Sequence, residues 1–561
     1  MIRTGLLAAV LSATTSLVAL AQSAEELKND ANTPDDVLVY GMGYQGQRYS
    51  SLTQINKQNV GKLVPVWSYS LNDLHGGEGF PIVRDGVIYV TTHNATSAVD
   101  ALTGKAIWRV VHEYPPEALK VVCCGIVNRG AAIYEGLIIR ALMDDRLVAL
   151  DAKTGKVAWT TKSPDPVTSA NGYAMTGAPL IVNGVVITGV AGAEFSHRGL
   201  LEGYDAKTGK HLWRTYTIPA KGEPGSESWE GDSQLTGGGS SWVTGTYDAE
   251  LDLVYWGIGN PAPWNPRARK GDNLFTNSVF AVRPKTGERV WYYQATPQDP
   301  FDYDAVQTPI LGSVNVGGTP RKVVMQPNRN GFLYVLDRTD GKLLAVNAYE
   351  KVNWASHIDK ETGRPVETEV AAKLRAGEPI EHWPSTTGGK NWPHAAYSPE
   401  TGLLYANTIH QSRTFKHLET KPYVAGQRYM FVENIPIPPK PGEPVGHIDA
   451  IDPLTGKQKW RVPLTDFQIW SAMLATGGGL LFTGKETGEF IALDAETGKQ
   501  VWQFQTGSGI NAMPVTYTHD GRQYVTVLSG IGGLYWNAQR ERLKDIVPQG
   551  GSVWTFAILP D

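Results

Sequence analysis

The sequence predicts an all-β fold, an eight-bladed β-propeller with tryptophan-docking repeats, and three observations predict it. The first is a recurring turn. Ala149-Leu-Asp-Ala-Lys-Thr-Gly-Lys-Val-Ala-Trp159 has counterparts at Ala98–Trp108, Gly203–Trp213, Ala281–Trp291, Ala450–Trp460 and Ala492–Trp502, with Arg283 in place of the aspartate in one of them. Val335–Ala345 keeps the turn and loses the Trp, and a loose first copy ends at Trp67, which makes eight. Units of strands repeating at this period are propeller blades. The second is composition. Glycine, 61 of 561 residues, exceeds the usual share of about 7%, as a turn-rich sheet protein requires. The third is length. A chain of 561 residues outgrows the roughly 250–300 residues of one ordinary core, whereas blades need only pack on their neighbours.

In chain order, Arg3, the apolar run Gly5–Val10 and Leu17–Ala21 read as a secretory signal peptide, assigned to residues 1–24 with cleavage after Ala21 or Ala24. Residues 25–561 are left as one propeller domain. Gly41-Met-Gly43-Tyr-Gln-Gly46 follows a strand and matches a dinucleotide-binding pattern. No helix and no βαβ unit follow it, so it is a decoy. Residues 52–69 and a C-terminal group of strands, about 510–558, are expected to share the last blade and close the ring, which removes exposed edges. The gaps from Trp213 to Trp291 and from Ala345 to Trp460 exceed a blade and mark insertions. The second includes residues 353–394, with a short helix expected at Glu367–Arg375. Asn434–Val445, with five prolines, reads as a surface loop.

Net charge is −4 and no basic stripe is present, which excludes nucleic acid as a partner. Beyond the N-terminus no segment reaches the ~18 apolar residues of a membrane span, so an exported, soluble, periplasmic protein is expected. The two cysteines are adjacent, Cys123-Cys124. An oxidising compartment and the absence of any other cysteine favour a bond between them, although neighbouring Cα atoms, ~3.8 Å apart, are closer than an ordinary disulfide prefers.

Cys123-Cys-Gly-Ile-Val-Asn-Arg129-Gly130, set among these repeats, resembles the pyrroloquinoline quinone (PQQ) dependent alcohol dehydrogenases. The resemblance runs from about Val37 to Phe556. It recurs at Gly192-Ala-Glu194, Gly238-Gly-Ser-Ser-Trp242, Gly259-Asn260-Pro-Ala-Pro-Trp264, Asp299-Pro-Phe-Asp302-Tyr-Asp304, Arg329-Asn-Gly331 and Gly389-Lys-Asn391-Trp392. It implies that PQQ lies between the Cys123-Cys124 disulfide and Trp242. Glu78, Arg129, Thr176, Ser240, Arg329 and Asn391 would surround its edge, with Trp470 lining the site. It also implies that Glu194 and Asn260 bind a metal ion, that Asp302 is the catalytic base beside that ion, and that Asp304 marks the variant using a lanthanide rather than calcium. Glu194, Asn260, Asp302 and Asp304 offer only oxygen, which suits a hard cation, and a trivalent ion needs the extra carboxylate.

The resemblance therefore implies an enzyme that oxidises alcohols to aldehydes or ketones. No Cys-Xaa-Xaa-Cys-His motif is present for a covalent haem, so the electrons would go to a separate soluble c-type cytochrome. A sugar or polyol quinoprotein, or a non-catalytic propeller scaffold, are the rival readings. Pairing of two copies stays open. Three departures from the family pattern are Ala191 for Ser, Ser240 for Thr and Leu534 for Trp. The last opens space at the site and argues against methanol as substrate.

Overall fold

The recurring turn builds the sheets and also joins them. In the copy at Asp151, the aspartate Oδ1 accepts from Thr154 N at 2.8 Å and from Thr154 Oγ1 at 2.7 Å. Gly155, at φ +70°, then reverses the chain and its N–H returns to Asp151 O at 2.8 Å. Trp108 of the preceding sheet lies flat on that glycine: a β-carbon there would stand 2.8 Å from the indole. The indole N–H reaches Ala152 O at 2.9 Å. The same reach recurs from Trp67 to Ala101, Trp159 to Ala206, Trp213 to Pro284, Trp291 to Arg338, Trp460 to Ala495 and Trp502 to Leu63. Where the sequence has Ala345 instead of Trp, Asn347 takes over, its Nδ2 donating to Leu454 O at 2.9 Å while its Cβ lies against Gly456.

The computed structural model describes residues 23–560. The fold is an all-β propeller. Among the described residues there are seven four-stranded sheets and one five-stranded sheet, antiparallel except where Tyr49–Ser50 joins Leu474–Thr476 in parallel. Leu63–Ser70 pairs antiparallel with Ser552–Ile558, so the two ends of the chain share one sheet, as the sequence predicts. The expected signal peptide falls almost wholly on residues 1–22, outside the described residues. No described helix is long and apolar enough to cross a membrane. Gly41–Gly46 is a series of turns with no following helix.

The long insertion after Leu343–Ala348 has a structure of its own. Its helix is Glu369–Ala376, about where the sequence places it, capped by Thr368 and closed by Gly377 at φ +91°. A three-stranded sheet follows, Ile380–His382, Arg413–His417 and Val432–Pro436 in spatial order. Asn434–Pro436, expected in a loop, is therefore strand. The insertion buries Trp354, Leu374, His382 and Phe415 against Phe301 and Tyr303, the residues flanking Asp302. The C-terminal strands are interrupted by a helix, Gly533–Leu543, which the repeat pattern does not announce.

Gly155→Ala and Gly136→Ala test the indole-on-glycine contact. Both residues have positive φ, but only at Gly155 would the new methyl meet Trp108, since nothing lies within 4 Å at Gly136. Each should lose about 1–2 kcal/mol to the left-handed backbone. Thermal unfolding should show the larger loss for Gly155→Ala, and equal losses would mean that the contact contributes nothing.

Candidate active site

The loops at one end of the sheets converge on a cavity of about 300 Å³. Its floor is shaped by backbone constraint. Cys123 and Cys124 are bonded to each other across a Cα separation of 3.8 Å, and Cys124 sits at φ +67°. Gly125 passes so close to Gly533 that a β-carbon would stand 2.8 Å from its Cα, so the C-terminal helix seals this side. Asp302 is also left-handed, at φ +67°. Asp299 holds it there by straddling it: one carboxylate oxygen accepts from Phe301 N at 2.8 Å and the other from Tyr303 N at 2.6 Å. Such strain, on the order of 1–3 kcal/mol, marks sites that the surrounding structure over-determines.

Of the residues singled out in the sequence, Glu78, Cys123, Cys124, Arg129, Thr176, Glu194, Trp242, Asp302, Asp304, Arg329, Asn391 and Trp470 all line this one cavity. Two charged clusters organise it. In one, Arg129 pairs with Glu78 at 2.9 Å, donates to Thr176 Oγ1 at 2.9 Å, and lies between the rings of Trp242 and Trp392 at 4.8 and 4.7 Å. In the other, Arg329 holds Asp304 Oδ2 at 2.8 Å, Asp302 Oδ2 at 3.1 Å and Thr386 O at 2.7 Å. Asp304 also accepts from Asn260 N at 2.7 Å and from Trp242 Nε1 at 3.2 Å. A carboxylate oxygen of Glu194 lies within 4.8 Å of both sulfur atoms.

Ser240 and Asn260 are buried just behind the wall rather than on it. Only glycine fits beside them, because a β-carbon on Gly259 would run into Asp304 Oδ1 and stand 2.9 Å from Ser240 Oγ. Asn391 is fixed at both ends of its amide, Nδ2 to Thr387 O and Oδ1 from Trp392 N, each at 2.9 Å. Trp470 packs its ring on Tyr535 at 5.2 Å.

The electrostatics are those of concentrated negative charge out of water. Burial pushes the Asp302 carboxyl well above the usual carboxylate range, with Asp304 and Glu194 adding to the effect and Arg329 opposing it. Burial, then the Asp304 charge, raises Glu194 to about 7. Asp302 Oδ1 and Asn260 Oδ1 are buried with no hydrogen-bond partner. Buried polar atoms are nearly always satisfied, so two orphaned oxygens beside the Glu194 and Asp304 carboxylates fit a hard cation. The disulfide, the Trp242 indole and the Arg129 guanidinium line the same cavity, a lining that fits a planar polyacid.

Residues 38–364 and 364–525 match the PQQ family domain described as the glucose/ethanol/alcohol dehydrogenase β-propeller domain. The chain is 40% identical to the quinohemoprotein alcohol dehydrogenase ADH IIB of Pseudomonas putida, over 95% of this chain and 79% of that protein. The chain belongs to the PQQ-dependent alcohol dehydrogenase family. It is also 37% identical to a lanthanide-dependent methanol dehydrogenase of Methylacidiphilum fumariolicum, over 95% of this chain and 91% of that protein. A solved europium-containing methanol dehydrogenase superposes with a TM-score of 0.89 at 35% identity, covering 95% of this chain and 100% of that one. The chain is thus a quinoprotein alcohol dehydrogenase that oxidises alcohols.

Sequence reasoning assigned no role to several residues of this quinoprotein's cavity. Trp264 and Trp392 lie inside the motifs already quoted. Thr386, Thr387, Arg413, Arg428, Met430 and Asn434 come from the insertion, where no repeat exists to flag them. Asp299 is the unread positioning residue.

Arg329→Gln should lower the melting temperature of the protein in chelator, since breaking a buried ion pair costs about 3–5 kcal/mol. The gap from wild type should narrow from neutral to mildly acidic pH, because Glu194, raised by burial to about 7, and Asp302, raised well above the usual carboxylate range, then take up protons and no longer need the guanidinium. A pH-independent gap would assign the loss to packing instead.

Proposed function

We propose that this quinoprotein is a periplasmic, PQQ- and metal-dependent alcohol dehydrogenase that passes electrons to a separate soluble c-type cytochrome. Residues 1–24 are its signal peptide, and residues 25–561 form one propeller domain whose eight sheets are eight blades, seven docked through a tryptophan and one through Asn347. The observation that carries the reading is the cluster of Glu194, Asp302 and Asp304 about Arg329, with Asp302 Oδ1 left without a partner.

Glu194, Asn260, Asp302 and Asp304 would hold the metal. Glu78, Arg129, Thr176, Ser240, Trp242, Arg329, Asn391 and Trp470 would hold PQQ against the Cys123–Cys124 disulfide. When bound, PQQ supplies the two-electron acceptor and the metal its electrophilic activation. The protein positions the alcohol and moves its proton. Arg329 restrains one oxygen of Asp302, leaving Oδ1 to take the hydroxyl proton. Burial raises that carboxyl, which makes it a stronger base for the task. The strained backbone of Asp302, fixed by Asp299, keeps that oxygen aimed without reorganisation at the moment of reaction. Arg329 can also stabilise negative charge as it develops beside Asp302.

A lanthanide is favoured over calcium. Asp304 brings a third carboxylate next to Glu194 and Asp302, more charge than a divalent ion needs. One similar protein carries lanthanide dependence in its name and another holds europium.

Reconstitution tests the reading. Protein stripped with chelator and reloaded with PQQ should reduce an artificial dye with ethanol or longer alcohols when lanthanum is added, and far less with calcium. Asp302→Ala should stay folded, bind PQQ and lose turnover by at least about 100-fold, the usual weight of a general base. Calcium-only activity would remove Asp304 from the ligand set. Retained turnover in Asp302→Ala would remove Asp302 from its role.

A further inference from the structure

The insertion delivers to the cavity two guanidinium groups that the chemistry above does not use. Arg413 begins the middle strand of the three-stranded sheet, held in register by His382 on one side and Pro436 on the other. It is therefore mounted on a rigid element rather than a loop tip. It lines the cavity together with Asp302 and Arg329, close enough to feel both charges. Its Nε is buried and has no hydrogen-bond partner. Among the described residues it joins no salt bridge, whereas Arg129 and Arg329 are each locked to carboxylates. Arg428 lines the same cavity and is likewise in no salt bridge among the described residues. It is brought there by its neighbour, since Tyr429 N donates to Glu194 O at 2.6 Å. The same cavity has an apolar part, lined by Trp264, Met430 and, from the C-terminal helix, Leu534.

A guanidinium is always charged, and its fork of donors matches a carboxylate. Leaving one partly buried and unpaired is costly unless a ligand completes it. The acids of a polyacid cofactor have the Glu78–Arg129–Thr176 cluster at their disposal. Arg413 stands instead with Asp302, the proton acceptor, where the alcohol must lie. We propose that Arg413, assisted by Arg428 at the mouth, forms an anion-binding subsite, and that the preferred substrates are alcohols carrying a carboxylate remote from the hydroxyl. The apolar wall takes the intervening carbons. This rests on the cavity being the alcohol site.

The test uses the PQQ- and lanthanum-loaded enzyme with a matched pair, 6-hydroxyhexanoate and 1-hexanol, followed by dye reduction. The wild type should favour the hydroxy acid, mainly through KM. In Arg413→Gln the ratio of kcat/KM for acid over alcohol should fall by about tenfold or more, the weight of a charge-assisted hydrogen bond. Arg413→Lys should recover part of it, and added salt should weaken it in the wild type. The subsite is overturned if the wild type favours 1-hexanol, if both substrates lose equally in Arg413→Gln, or if that variant fails to retain PQQ, which would make Arg413 a cofactor ligand. Turnover of neither substrate by the wild type would instead overturn the enzyme reading on which the subsite depends.

Discussion

The contact between an indole and a glycine one sheet away sets everything else in this molecule. Twisted sheets stacked face to face have apolar inner surfaces but no intrinsic reason to stop at a fixed angle. A Trp lying on the positive-φ glycine of the next turn supplies that stop, and its N–H, bound to a carbonyl of the same turn, fixes the azimuth. Glycine is required twice over, by its φ and by the absence of a β-carbon beneath the ring. Trp502 keeps only the hydrogen bond, its N–H donating to Leu63 O on the strand that pairs with Ser552–Ile558, and that bond closes the ring on the first strand. Closure leaves the loops at one end no freedom to diverge, and those loops carry the charged residues of the cavity.

That rigidity is what allows three carboxylates to be crowded out of water. Glu194, Asp302 and Asp304 repel one another, and Arg329 alone does not balance them. A softer scaffold would relax by turning an acid toward solvent. Here Asp302 is held by Asp299 through the backbone on either side of it, and Asp304 by Asn260 N and Trp242 Nε1. The uncompensated charge and the orphaned oxygens suit a hard cation, and the fold supplies the stability that the crowded acids cost.

What was legible in the sequence follows from this division. The turn motif could be read because its function is local: Asp, Thr and Gly act within five residues of one another, and the Trp is a fixed number of positions on. The site residues could be read only through resemblance, since Glu78, Glu194, Asn260, Asp302 and Arg329 lie far apart in the chain and no spacing predicts their convergence. Asn347 was illegible because it does the work of Trp two positions later and with a different group. Asp299 lies within a recognisable motif, but its role is invisible in the sequence because its partners are backbone amides. Arg413, Arg428 and the helix Gly533–Leu543 belong to stretches outside the repeat, where only packing decides what a residue faces.

The departures from the family pattern and the insertion act on the same space. Leu534, at the start of the C-terminal helix, stands where the resemblance leads one to expect Trp, and it is 40% exposed at the cavity rim. It lines the same cavity as Arg413. The propeller dictates the chemistry, since the acids and the disulfide sit on loops of the sheets themselves. The insertion, packed on Phe301 and Tyr303 by Trp354, His382 and Phe415, brings residues of its own to the same cavity. On the proposed subsite, residues of this appended sheet and Leu534 can change without disturbing either the indole contacts or the strained backbone at Asp302. A division of this kind lets one ring hold a demanding charge cluster constant while its mouth changes from one alcohol to another.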